Sequence, residues 1–323
     1  MEGLVTEHTR DMSSSIPSND NLLRLYVADA RRRRLTKRTI DNYRSSLRIF
    51  FKHVGKPAPA VDIDDLRGFL DFLTVDKELK DPTISRYFSA LRSFYEFLEF
   101  ENLVTKNLIP LFGKRYLRQL CLKHNRESER QIISEEQMVK LITSILDPRD
   151  KAVVTLLAKT GIRRNELITL DIDDIDWVDY SITLKPTRKR TNRVVFFDHE
   201  TAVILKRWMT TRESRLQGED KKPLFINEQQ GRLNRNGVYA IVTKYAQRMG
   251  LHDPTSQNLG KKFSPHNCRH WFTTMLLRGG MKREYVKELR GDSRSEAIDI
   301  YHHIDREELK KEYLACIPQL GVF

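Results

Sequence analysis

Four short clusters in the second half of the chain carry side chains able to act on a phosphate. The first is Thr160-Gly161-Ile162-Arg163-Arg164-Asn165-Glu166-Leu167. Gly161 is expected to end one helix and the next to start at once, which sets Arg163 beside a helix N-terminus. Free backbone N–H groups and the helix dipole favour anions there, and the guanidinium adds to them. An arginine after a helix-ending glycine also occurs for structural reasons alone. The second cluster is Ser264-Pro265-His266-Asn267-Cys268-Arg269-His270. His266 and Arg269 stand at i and i+3, so one helix face can aim both at one phosphate. His266, Cys268 and His270 are alternate residues that point to different faces, so no metal site is expected, and His270 reads as a packing histidine.

The third cluster, Lys185 to Arg193, holds five cations and no acid in nine residues, among them Arg188, Lys189 and Arg190. An exposed hairpin tip would look the same. The fourth is Leu289-Arg290-Gly291-Asp292, followed by Ile298-Asp299-Ile300-Tyr301-His302-His303. A tyrosine after alternating apolar residues is usually core. The chemistry that unites the clusters is attack on a phosphodiester, which repels anionic nucleophiles unless cations neutralise its oxygens. Two arginines can do this bidentately, a tyrosine can be the nucleophile, and a histidine can take its proton.

Local sequence signals place these side chains on elements. Tyr43, Leu47, Phe50, Phe51 and Val54 form one apolar helical stripe, and Leu66, Phe69, Leu70 and Leu73 another. Ile84, Phe88, Leu91, Tyr95 and Leu98 form a third, with Asp81 as the expected N-cap and Pro82 as first helical residue. Ser134 with Gln137 has capping-box spacing ahead of Met138, Leu141, Ile142 and Ile145. Tyr180–Leu184 and Arg193–Phe197 are β-rich runs flanking the basic connection, which suggests a hairpin. Ser264-Pro265 opens a helix that Gly279 or Gly280 stops. The resulting division is a polar leader over 1–19, a helical domain over 20–112, a linker over 113–130, and a mixed domain over 131–323.

Length and charge agree with that division. At roughly 100–200 residues per domain, 323 residues imply two. Lys plus Arg number 57 against 44 Asp plus Glu, for a net charge of +13, which points to a polyanionic partner. Arg31, Arg32, Arg33, Arg34, Lys37 and Arg38 supply six of those cations within eight residues. They are expected to contact phosphate, although a solvated helix end would read the same way. No apolar run approaches the ~18 residues of a membrane span, the start lacks the apolar core of a signal peptide, and no clean amphipathic basic helix suggests a membrane surface. Three cysteines, widely spaced, argue for a reducing compartment, so a cytoplasmic, DNA-associated location is expected.

Taken in order, the four clusters resemble the tyrosine recombinase (phage integrase) family. Its pattern is Thr-Gly-Leu-Arg-x-x-Glu-Leu, a β-hairpin lysine, Pro-His-x-Leu-Arg-His, Leu-Gly-His and a late Tyr. Tyr301 follows Arg269 by 32 residues and Asp292 by 9, the register the family would show. The resemblance implies an N-terminal helical, SAM-like core-binding domain and a mostly α catalytic domain with a small antiparallel β-sheet. It implies site-specific cutting and rejoining of double-stranded DNA through a 3′-phosphotyrosyl link, with no metal, ATP or other cofactor. Arg163, His266 and Arg269 would hold the phosphate, Tyr301 would attack, Lys189 or Lys185 would protonate the leaving oxygen, and Glu166 would steady Arg163 or the histidine. The family works as a tetramer on two DNA sites, and the tail Glu307–Phe323 would dock on a neighbouring subunit or on its own domain. Cys268 departs from the usual Leu, and Asp292 from the usual His. Asp292 is expected to face away from the phosphate, to be held by Arg290 or Arg294, or to cap the helix leading to Tyr301. A non-catalytic DNA-binding protein on this scaffold and a type IB topoisomerase are the rival readings.

Overall fold

The computed structural model describes residues 17–118, 131–186, 193–216, 222–256, 258–292 and 304–323. The chain divides into two compact units, Met1–Ser128 and Glu129–Phe323.

The first unit is helical: α1 (Asn19–Arg32), α2 (Lys37–Val54), α3 (Ile63–Asp71), α4 (Asp81–Phe100) and α5 (Ile109–Phe112). Ser18 and Thr36 cap α1 and α2 by accepting hydrogen bonds from the amides of Asn21 and Thr39. Leu47, Phe50 and Phe51 of α2 meet Leu66, Phe69 and Leu73 and the whole predicted α4 stripe in one buried core. Two expectations need correcting. Lys80, not Asp81, occupies the N-cap of α4, so Pro82 is its second residue, still inside the turn where a missing N–H costs nothing. Helical structure also runs past the expected linker start, because a π-turn over Gly113–Leu117 continues α5. Residues 119–130 of that linker lie outside the described residues.

The second unit contains α6 (Glu135–Thr143), α7 (Pro148–Thr160), α8 (Arg164–Thr169), α9 (His199–Leu216), α10 (Arg235–Arg248), α11 (Pro265–Arg278), α12 (Arg283–Arg290) and α13 (Arg306–Cys316). Ser134 and Gln137 form the predicted capping box on α6. Helix α7 is buried around nearly its whole circumference and packs against α9, α10 and α11. The predicted hairpin is present: β2 (Ser181–Leu184) pairs antiparallel with β3 (Arg193–Phe196), and β1 (Ile175–Asp176) adds a third strand in the order β1-β2-β3. The fold is thus mostly α with a small antiparallel sheet. No helix among the described residues is long and apolar enough to cross a membrane.

The tail packs on its own unit. Leu309, Tyr313 and Ile317 join Phe196, Phe272, Leu276 and Leu289 in a second cluster of apolar side chains. Beside it, the fully buried Lys159 ammonium donates to Asp198 Oδ2 at 2.5 Å, Glu200 Oε2 at 2.7 Å and the Pro318 carbonyl at 2.5 Å. The Leu320 amide donates to Glu200 at 2.8 Å, so one buried ion cluster holds the last turn of chain.

Candidate active site

Two helix starts and two helix ends build the site. Helix α7 stops at Gly161, whose φ of +60° is in the left-handed region. A Cβ there would lie 2.2 Å from the Phe272 ring, so both conformation and space require glycine. The reversal puts Arg163 at the N-cap of α8, as its sequence suggested. Its amide donates to Glu166 Oε2 at 2.6 Å, which closes half of a capping box and fixes the turn. Helix α11 starts at Pro265 behind a Ser264–Asn267 capping box. The i, i+3 spacing then sets His266 on the exposed rim and Arg269 in the interior of the same cleft.

Arg163 and Arg269 converge on the end of α12. Arg163 Nη1 donates to the Arg290 carbonyl at 2.9 Å, and Arg269 Nη2 donates to the same carbonyl at 2.7 Å. Asp292 Oδ1 accepts from Nη2 of both arginines at 3.2 Å, and its Oδ2 lies 3.0 Å from Arg290 Nε. Of the alternatives open in the sequence, the structure has Asp292 held by cations, with Arg290 among them. Arg294 lies outside the described residues. Arg269 also donates to the Gly161 carbonyl at 2.5 Å, which ties α11 to the turn before Arg163.

The electrostatics follow from this crowding. Burial pushes the Arg269 guanidinium down to about 9, and the nearby Arg163 and Arg290 charges act in the same direction. It remains cationic at neutral pH. Arg163 is also pushed down by burial, partly offset by the Glu166 charge. Burial alone would raise Glu166, yet hydrogen bonds and charge from Arg193 and the Arg163 amide hold it below the usual carboxylate range. Three guanidiniums around one carboxylate form a site whose net charge favours a further anion.

The cleft has a volume of about 420 Å³ and is lined by Arg163, Arg164, Asn165, Arg235, Tyr239, His266 and Arg269, among others. Lys185 is not part of its lining: its ammonium pairs with Asp171 and, at 3.6 Å, with Asp174. Arg188, Lys189, Arg190, Tyr301, His302 and His303 lie outside the described residues. His270 packs its ring edge-on against His266 at 4.5 Å. Cys268 is buried and its thiol is pushed up to about 12 by that burial. No group of three or more His, Cys, Asp or Glu among the described residues could hold a metal.

In the first unit, Arg31, Arg32, Arg33, Arg34, Lys37 and Arg38 are all exposed around the α1–α2 joint, with Arg33 paired to Asp29 at 3.5 Å. Their neighbours do not stand out in the sequence. Arg24, Arg44 and Arg48 join Arg31 around a depression of about 470 Å³ floored by Leu23 and Val27. The available signal was spacing, since Arg44 and Arg48 stand at i and i+4 and Arg24 and Arg31 at i and i+7, each pair on one helix face. Arg193, which in the sequence is one cation of a hairpin run, is buried against Glu166.

Comparison with known proteins gives the same family from several directions. Residues 131–308 match the phage integrase family, and residues 22–102 match the phage integrase N-terminal SAM-like domain. Tyrosine recombinase XerC of Oceanobacillus iheyensis is 30% identical over 297 residues, covering 87% of this chain and 90% of that protein. XerC of Bacillus subtilis is 31% identical over 253 residues, covering 77% and 79%. The solved Tn1549 transposon integrase, in complex with transposon right end DNA, shares the fold with a TM-score of 0.66 at 18% identity, over 90% of this chain and 98% of that one. With both regions of the chain matched, the protein belongs to the phage integrase family of tyrosine recombinases.

Proposed function

We propose that this protein cuts and rejoins double-stranded DNA at specific sites through a covalent link to Tyr301. The observation that carries the reading is the convergence of Arg163 and Arg269, from two helices, on one carbonyl and one carboxylate at a cleft whose rim holds His266. Such a pair can grip two non-bridging oxygens of a phosphodiester and neutralise the charge that builds during attack. His266 stands at the exposed rim, where it can accept the tyrosine proton. Lys189, or Lys185 on release from Asp171, would protonate the 5′-oxygen as it leaves. The bond energy stays in the phosphotyrosine, so rejoining needs neither ATP nor a metal. The Arg31–Arg38 run and its neighbours Arg24, Arg44 and Arg48 would hold the DNA backbone.

The named relatives are recombinases and an integrase bound to DNA, which supports the same partner here. Exchange between two duplexes requires two strands cut in each, hence a homotetramer on two DNA sites, in the cytoplasm. The domains would divide the work, with residues 20–112 binding DNA and residues 131–323 cutting it. A nicked suicide duplex tests the reading: the fragment beyond the nick diffuses away, and the covalent protein–DNA adduct accumulates. An adduct that forms without metal or ATP is expected. Tight binding with no adduct on a duplex carrying its own site would favour a non-catalytic DNA-binding protein. Supercoil relaxation by monomers on DNA of any sequence would favour a type IB topoisomerase.

A further inference from the structure

We infer that Arg193 is a positioning residue for DNA cleavage, fixing the two phosphate-binding arginines through Glu166 and the carbonyl-bearing end of α12. Its guanidinium is almost fully buried and spends three donors on two partners. Nη1 and Nη2 donate to the two oxygens of Glu166 at 2.8 and 2.9 Å, and Nε donates to the Leu289 carbonyl at 3.1 Å. Glu166 in turn receives the Arg163 amide at 2.6 Å and Arg163 Nη1 at 3.4 Å. Leu289 directly precedes Arg290, whose carbonyl accepts from both Arg163 and Arg269. One planar fork therefore sets both ends of the arginine pair.

Further features fit this role better than a role in stability. A buried ion pair is a poor source of stability, because desolvating two charges offsets most of their attraction. The bidentate fork does fix distance and angle, which a lysine could not. Gly291, with φ of +57°, leaves room for the guanidinium to pass under the turn to Asp292, since a Cβ there would lie 2.6 Å from Arg193 Nη1. Arg193 also opens β3, paired with Leu184 of β2, so the clamp reaches the hairpin that carries the candidate lysines. The sheet, the Arg163 turn and the end of α12 are joined at one side chain.

This inference rests on the reading that Arg163 and Arg269 hold the scissile phosphate. Its test is single-turnover cleavage of a nicked suicide duplex by the full chain, with DNA affinity and thermal melting measured on the same samples. Arg193→Lys keeps the buried charge and loses the fork. It is expected to cleave saturating DNA about 100-fold more slowly, the scale of a misplacement near 1 Å, while its Kd for DNA stays near the wild-type value. Arg193→Ala should be slower still and should regain rate with millimolar guanidinium, which leaves the wild type unchanged. If Arg193→Ala fails to fold, Arg193→Lys carries the test. Wild-type cleavage by a folded Arg193→Lys would overturn the inference, as would a loss confined to Kd or one that tracks the unfolded fraction. Were the wild type itself unable to cleave, or Arg163→Ala to cleave normally, the functional reading would fall and this inference with it.

Discussion

Asp292→Asn should make the protein less stable and yet a tighter binder of anions. The carboxylate lies 3.2 Å from Arg163 Nη2, 3.2 Å from Arg269 Nη2 and 3.0 Å from Arg290 Nε. Opposite unit charges near 4 Å attract by about 4 kcal/mol at an effective dielectric of 20, and about 1 kcal/mol in water. The Asp292 side chain is 32% exposed, so solvent screens a substantial part of each contact. After that discount the three contacts together contribute about 2–3 kcal/mol. Asparagine keeps the shape and one acceptor oxygen but removes the charge. The melting temperature should fall by several degrees, at about 2–4 °C per kcal/mol for a unit of this size. The same 2–3 kcal/mol no longer opposes an incoming anion, which corresponds to roughly 30- to 150-fold tighter binding. Differential scanning calorimetry and titration with sulfate or orthovanadate read the two effects on one sample. A variant that melts with the wild type, or that binds these anions no more tightly, would refute the three-arginine clamp.

Other consequences follow from the same geometry. Glu166 has a depressed pKa in the folded state, so its contribution to stability is present above the unfolded value of about 4.3 and is lost as pH falls through the folded value. Glu166→Gln should therefore lower stability at neutral pH by about 3–5 kcal/mol, because Arg193 keeps a buried charge, and the deficit should shrink in acid; a pH series of melts checks both. Gly161→Ala should unfold the second unit or cost several kcal/mol, since it combines a strained φ with a clash against Phe272, and circular dichroism melts would show it. Neutralising cations in the Arg31–Arg38 run should weaken DNA binding and reduce the salt dependence by about 0.9 in log–log slope for each phosphate no longer neutralised, measured by fluorescence anisotropy. An unchanged slope would mark the run as solvated surface.

Much of the site could be read from residue order because its parts are local. The stop at Gly161, the caps at Ser134 and Ser264, and the hairpin around the basic run each depend on a few adjacent residues, and each appears in the structure. Periodicity failed where burial is not one-sided. Helix α7 is buried all round, so it shows no stripe, and its Lys159 gives no sign of lying inside an ion cluster with Asp198 and Glu200. Arg193 was hidden for a related reason, since one buried cation in a run of five looks like the rest. The Arg290 carbonyl that gathers both arginines is backbone, which no side-chain pattern reports. The placement of Asp292 between Arg163 and Arg269 joins Arg163 to a residue more than 100 positions away, and only the fold brings them together.

The identity of the nucleophile bears most directly on how this protein works. Tyr313 is fully buried and donates its hydroxyl to the Lys159 carbonyl at 2.9 Å, and burial holds its pKa well above the usual range. Tyr239 is the tyrosine that lines the arginine cleft among the described residues, where the Arg164 guanidinium lies 5.8 Å from its ring centre. Trapping the adduct on a nicked suicide duplex, digesting the protein and sequencing the DNA-linked peptide by mass spectrometry distinguishes these side chains. The expected result is phosphate on Tyr301, with Tyr301→Phe binding DNA normally and forming no adduct. Phosphate on Tyr239, Tyr285 or Tyr313, or an undiminished adduct from Tyr301→Phe, would contradict it.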